Sequence, residues 1–436
     1  MEQTSVFDRV TEAAGVRSTL EAAARAARAM SGAGDEPGAR AAADPNGAMT
    51  HSWLFTGPPG SGRSTTAKHF AQALLCTHPE IVGCGKCQGC NTAFEGTHAE
   101  VQFAETTGLS IGVDYAREEV IRWAYALPTT ADWRVVIMPK ADRLTPQAAN
   151  ALLKAVEEPP KRTVFLLCAP TTDPADFSVT LRSRCRHVYV PTPTNAHVIA
   201  ELRRDKTKLT AEQAEWAGTV ANGHIGRARA LATDEARRNW RVQALELVEA
   251  IFDPARSYLL TRKLADAAGK EAIRQLEPIE EEEMTKLTNA LGLGATGRGI
   301  SKSNREATAA IKALEAEHKK RRTRKTQEEV DVALMDMVGL LRDALMVASG
   351  VDVDGGSDNA GAAVGGGVEE TGPALINPDR RRTSSELARR VSPEGLVACI
   401  DAVMDAREAM GRNVRPAVAL DGMMGTLQLA CGVGQR

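Results

Sequence analysis

A parallel α/β domain followed by helices alone is what this sequence predicts, and three observations predict it. A short strand pattern at Ser52–Gly57 runs straight into a glycine-rich turn and then a helical segment. Apolar, β-branched runs alternate with helical stretches as far as Val190, as in β–α units whose strands are buried on both faces. Beyond about residue 237 no strand pattern occurs. Composition agrees: 436 residues suggest two or three domains, and 43% apolar with 25% charged residues is the balance of a globular chain. Aromatic residues are only 4% of the chain, which disfavours a β-sandwich. No apolar run approaches the roughly 20 residues of a membrane helix. Met1-Glu2-Gln3 begins no secretory signal, so a cytoplasmic protein is expected. Lys and Arg number 54 against 56 Asp and Glu, which excludes a polycation built to coat nucleic acid but leaves local basic patches open.

Taken in order, residues 6–29 read as a lead-in and an Ala/Arg-rich helix. Residues 31–49, punctuated by Gly and Pro, read as a flexible surface loop. The strand at 52–57 is followed by a helix from Ser64 to about Leu75. Val101–Phe103 is a short strand, 114–126 a helix, and Val135–Met138 a buried strand. Thr145-Pro146 pairs an N-cap with proline at the first helical position, and Pro159-Pro160 stops that helix. Strands follow at Thr163–Cys168 and His187–Val190. Residues 196–233 read as a small helical domain. Val330, Leu334, Met337, Leu341 and Leu345 form one face of a long helix. Residues 351–375, rich in Gly, Ala and Asp, are expected to be disordered, and helices near 393–410 and 415–430 close the chain.

Two patterns carry chemistry. Gly57-Pro-Pro-Gly60-Ser-Gly62-Arg63-Ser64 fits the phosphate-loop template except that arginine replaces lysine. Glycines there let backbone N–H groups turn toward an anion at a helix N-terminus, and Ser64 would meet Mg²⁺. Gly57, Gly60, Gly62, Arg63, Ser64 and Thr65 are the candidate nucleotide residues. Whether they bind ATP or ADP stays open, because a planar guanidinium does not occupy a lysine's position. Hydrolysis also needs a carboxylate after the next core strand, and Val135–Met138 leads into Pro139-Lys140. Asp142, two residues on, is expected to point elsewhere. The second pattern is Cys76, Cys84, Cys87 and Cys90, with glycines between. Four thiolates and no spare position describe a closed, structural Zn²⁺ site; reduced free thiols are the alternative.

Together with Asn150-Ala-Leu-Leu-Lys-Ala-Val-Glu-Glu-Pro-Pro160 and Leu181-Arg-Ser-Arg-Cys185, these features resemble the bacterial clamp-loader AAA+ ATPases, strongly over residues 50–230. Asn413–Leu420 also looks like that family's last collar helix. The resemblance implies a P-loop AAA+ domain with an inserted zinc module (1–191, module 76–90), a helical lid (192–236) and an all-α collar (237–436). Arg63 and Pro139-Lys140 depart from the family's motor subunits and resemble its subunit that has lost the motor. The resemblance further implies that Arg184 is an arginine finger completing a neighbour's ATP site. It places Arg227 near the family's second sensor, and Thr171 or Thr172 either at the first sensor or as a strand cap. Implied partners are gamma/tau and delta subunits, a sliding clamp and primer-template DNA, with no membrane. Two rivals remain: an active gamma/tau-like motor ATPase, and a zinc-dependent DNA-binding protein. The basic run His318–Lys325, near acidic Glu280–Glu283, is read as a solvated helix face before it is read as a DNA contact.

Overall fold

The computed structural model describes residues 5–9, 13–33, 38–105, 110–174, 176–204, 209–291, 300–351, 374–412 and 414–433. Two compact units divide the chain, Met1–Arg229 and Ala230–Arg436.

The first unit is built on a parallel sheet of β1 (Ser52–Thr56), β2 (Val101–Phe103), β3 (Arg134–Met138), β4 (Thr163–Ala169) and β5 (Arg186–Tyr189), in the order β2-β3-β4-β1-β5. β1 lies between β4 and β5, with Thr56 opposite Ala169 and Tyr189. Both faces are covered, which explains the unbroken apolar runs. Trp53, Phe55, Val135, Ile137, Val164 and Leu166 turn to one side, against α1 (Ala14–Gly32) and α3 (Arg63–Leu74). Leu54, Val136, Met138, Phe165 and Leu167 turn to the other, against α5 (113–124, with a π-helical stretch at 116–121) and α6 (Pro146–Glu157). Thr145 caps α6 by accepting from the Ala148 N–H, with Pro146 at the first position. α4 (Gln88–Glu95) follows the cysteine loop, and α7 (Val179–Arg182) precedes β5. The helices α8 (Asn195–Arg204), α9 (Ala211–Val220) and α10 (Ile225–Thr233) come next, and the cut between the units falls within α10.

The expected loop at 31–49 needs correction. α1 continues through Gly32, and α2 spans Ala39–Ala43. The alanine-rich stretch forms a helical turn despite the flanking Gly and Pro. Asp44 then fixes the exit by accepting from the Ala48 and Met49 N–H groups, each at 2.8 Å. Residues 34–37 lie outside the described residues.

The second unit is helical throughout its described residues: α11 (Glu235–Glu249), α12 (Pro254–Ala290), α13 (Ile300–Ala348), α14 (Arg381–Arg390), α15 (Pro393–Gly411) and α16 (Pro416–Ala430). Val330, Leu334, Met337 and Leu341 of α13 are fully buried in its core. A polar knot ties the segment before α14 into that core. Buried Asp343 accepts from the N–H groups of Ile376 and Asn377, and Arg241 forks onto Asp379 and Asn377. Farther along, α12 and α13 are joined by ion pairs of Glu280 with Arg322 at 2.5 Å and of Glu283 with Arg321, and by a hydrogen bond between Glu283 and His318 Nε2 at 2.8 Å. The basic run is therefore largely paired; Arg324 and Lys325 also meet Glu328 and Glu329. That pairing removes most of the charge a DNA phosphate would need. The expected disordered stretch 351–375 falls mainly on 352–373, outside the described residues. No described helix is long and apolar enough to cross a membrane.

Candidate functional site

The C-terminal ends of β1, β3 and β4 form one edge of the sheet, where open α/β sheets place their ligands. β1 passes directly into the glycine loop. Gly57, Gly60 and Gly62 have φ of 153°, 86° and 85°. A Cβ on Gly57 would strike the Val190 carbonyl, so only glycine fits there. Gly62 stands in the left-handed region as the residue before α3 and gives that helix no side-chain cap. Its first turn is left with N–H groups for an anion. The buried hydroxyls of Ser61 and Thr66 have no hydrogen-bond partner, which fits a loop shaped for a polar ligand.

Arg63 turns back on the loop. Its Nη1 donates to the Gly57 carbonyl, so the guanidinium bridges the loop. Burial lowers its pKa, against the opposing influence of Cys168 and Asp142. Cys168, at the end of β4, is fully buried and its thiol is pushed up to about 12 by that burial. Asp142 lies in the turn after Pro139-Lys140 rather than on β3. Burial raises its pKa, and its carboxyl is within electrostatic reach of Arg63 and Lys140. It also lines a cavity of about 330 Å³ beside the start of α6, with Asn150 and Asp176.

His224, just before α10, stands over the loop. A Cβ on Gly60 would sit 2.7 Å from its ring. Burial and the charge of Arg227 lower the His224 pKa, and the Arg227 backbone N–H donates to His224 Nδ1 at 3.2 Å. Arg227 is thus brought near the loop through this histidine, which sequence reasoning passed over. Thr65 is exposed, while Arg63 and Ser64 are half-buried.

Arg184 is exposed on the turn after α7. Its Nε meets Glu157 at 3.1 Å, and its Nη1 donates to the Thr180 carbonyl at 3.0 Å and to Ser183 Oγ at 3.3 Å. None of these three partners belongs to the chain's own phosphate loop. Glu157, at the end of α6, entered the sequence reading only within the Asn150–Pro160 motif, not as a partner of Arg184. Thr171 caps the loop after β4, taking the Asp173 N–H at 2.8 Å and bonding to Asp176.

The four cysteines converge. Their sulfurs all lie within 4.8 Å of one another, near the roughly 3.8 Å edge of a zinc–thiolate tetrahedron. Backbone N–H groups of Cys84, Cys87 and Cys90 point at the sulfurs of Cys76, Cys84 and Cys87, at 3.3 to 3.4 Å. The hydrogen bond from Cys90 draws the Cys76 thiol down to about 4, and the same bond pushes Cys90 up. At Cys87 burial raises the pKa, but N–H groups of Cys90 and Thr77 outweigh it. These are donors that stabilise thiolates, and they fit a soft divalent metal.

The cluster is clasped from upstream. The Val6 N–H donates to the Gly83 carbonyl at 2.8 Å. Arg28 of α1 donates to the carbonyls of Cys76, Pro79 and Ile81. On the other side, Gln72 of α3 donates to the Cys90 carbonyl at 2.9 Å.

Residues 41–194 match the family described as DNA polymerase III, delta subunit. The chain is 32% identical over 205 residues to DNA polymerase III subunit delta′ of Pseudomonas aeruginosa, covering 46% of this chain and 61% of that one. It is 34% identical over 196 residues to the Escherichia coli delta′ subunit, covering 44% and 57%. It is 36% identical over 143 residues to the gamma/tau subunit of Mycobacterium tuberculosis, covering 32% and 24%. The matched part of the chain thus spans about three fifths of the delta′ relatives and a quarter of the gamma/tau relative. Among solved structures, a gamma subunit-related protein of Thermotoga maritima aligns over 66% of this chain and 93% of its own at 18% identity. Its TM-score of 0.32 is too low to bear on the fold.

Proposed function

Residues 41–194 of this chain belong to the clamp-loader family of bacterial DNA polymerase III, and we propose that the whole chain is its delta-prime-like, non-hydrolysing subunit. The observation that carries this reading is the end of β3: Met138 passes into Pro139-Lys140, with no carboxylate where Mg²⁺ and the attacking water would need one. His224 over Gly60 and Arg63 across the loop support it, since both fill space at the phosphate cradle. Any nucleotide bound through Gly57–Thr65 and Arg227 would be held weakly or without turnover.

The proposed division is an AAA+ domain (1–191), a lid (192–236) and a collar (237–436). In this reading the chain works in the cytoplasm beside gamma/tau and delta subunits. It helps open a sliding clamp and place it on primer-template DNA. Its chemical contribution is Arg184, projected from the exposed turn after α7 toward a neighbour's γ-phosphate, where a guanidinium fork would stabilise developing charge. When bound to Cys76, Cys84, Cys87 and Cys90, Zn²⁺ would supply a structural cross-link. The backbone N–H groups at the sulfurs would favour the thiolate form it requires.

Steady-state ATP hydrolysis by the purified full-length chain tests the reading. No turnover above background is expected. Turnover that is lost on Ser64→Ala would overturn it. One observation favours the rival motor reading: Asp142 is within electrostatic reach of Arg63 and could take the place of the missing acid. Turnover abolished by Asp142→Asn would establish that rival.

A further inference from the structure

Two thiols in the second unit stand together, apart from anything the proposed function uses. Cys399 of α15 is fully buried in the helical core, while Cys431, the residue just after α16, is half-buried. Their sulfurs are 3.6 Å apart across 32 positions of sequence. A disulfide needs about 2.05 Å, so the gap is small.

The backbone can close it. Cys431 sits at the helix end, and the next residue, Gly432, takes φ of 69°. The two helices already approach closely there: a Cβ on Gly395, one turn before Cys399, would lie 3.1 Å from the Ala430 carbonyl. The thiols also differ in character. Cys431 is lowered by the hydrogen bond from Cys399, against burial, and by the charge of Arg390. Cys399 is raised by that same bond and by burial. One thiol thus suits attack on an oxidant, and the other is placed to resolve the product.

We propose that Cys399 and Cys431 form a redox modification site that takes a hydroperoxide and closes to an intrachain disulfide. The Cys431 thiolate attacks one oxygen of hydrogen peroxide and the O–O bond breaks. The departing hydroxide takes up the proton that Cys431 had released, giving water and a Cys431 sulfenic acid. Cys399 Sγ then attacks that sulfur, the S–O bond breaks, and the hydroxyl leaves as water with the Cys399 proton. Two thiols and one peroxide give one disulfide and two waters; two electrons pass from sulfur to oxygen. The product staples α15 to the end of α16.

The test treats the full-length, zinc-loaded chain with equimolar hydrogen peroxide at neutral pH, alkylates the remaining thiols and maps peptides by mass. The expected product is one peptide pair joined through Cys399 and Cys431, two hydrogens lighter, and separated by dithiothreitol. The melting midpoint of the second unit should rise by roughly 5–10 °C. Cys399→Ser should strand Cys431 as a sulfenic acid that a dimedone reagent traps. Recovery of both cysteines as alkylated thiols after the peroxide is consumed would overturn the proposal. So would Cys431 sulfinic acid without a cross-link. The mapping uses the unsubstituted chain, so its outcome does not depend on how the serine variant folds.

Discussion

Arg184 owes its role in the proposed function to where it is not: it sits on an exposed turn, held by Glu157, Thr180 and Ser183 rather than by the core. An exposed ion pair contributes at most about 1 kcal/mol, so Arg184→Ala should leave the melting midpoint nearly unchanged. In a reconstituted clamp loader it should cut hydrolysis at the adjoining site, by up to the roughly 10³-fold or more that finger arginines supply elsewhere. Arg184→Lys should recover little, because a point charge does not reproduce the fork. Turnover at the unmodified rate in the Ala variant would return Arg184 to an ordinary surface charge. His224 makes the complementary case. Removing its ring from Gly60 in His224→Ala should tighten ATP binding several-fold by calorimetry, if the ring is what fills the cradle. The sequence shows the loop plainly because its spacing is local. It does not show His224, because that contact joins positions far apart in the chain.

Among the elements, the strands were legible and the polar anchors between them were not. All five strands fall where predicted; the inner three, β1, β3 and β4, are covered on both faces and read as nearly continuous apolar runs, while β2 and β5 lie at the sheet edges and carry polar residues. Glu100, just before β2, gave no such signal. It is fully buried, pairs with Arg134 of β3 at 2.7 Å, and accepts from the N–H groups of Thr129 and Thr130. Burial alone would raise its pKa, but the Thr129 N–H, Arg134 and the Thr130 N–H outweigh it and hold the carboxyl at about 2, below its ordinary 4.5. The fold therefore favours the ionised form. The stabilisation is whole above pH 4.5 and is lost as pH falls through about 2. Glu100→Gln, which leaves Arg134 buried without its charge partner, should cost about 3–5 kcal/mol at neutral pH. Urea unfolding at stepped pH should show the gap from the parent chain narrowing below pH 4.5. A gap that does not change with pH would contradict the assignment. The pairing of the basic run on α13 was partly legible: Arg324 and Lys325 meet Glu328 and Glu329 one turn on, while the register that sets Glu280 and Glu283 of α12 against Arg322 and Arg321 was not.

Over the whole molecule, two units with separate cores predict separable responses. If Zn²⁺ ties the four cysteines, chelation should lower the melting transition of the first unit by several degrees and leave that of the second in place; calorimetry of the full chain with and without chelator measures this. A joint shift of both transitions would argue against it. The division was half legible: the end of the strand pattern marked where helices take over, but the compact boundary falls inside a helix, α10, where composition does not change. The clasp on the cysteine loop reaches furthest along the chain. Val6 and Arg28 grip it from sequence far upstream of the cysteines. The same grip is expected to slow the escape of any metal held there. A chain beginning at residue 10 keeps all four sulfurs, yet it should surrender its metal to a chelator faster. The lifetime of such an ion would then depend on residues 5–9, some 70 positions from Cys76.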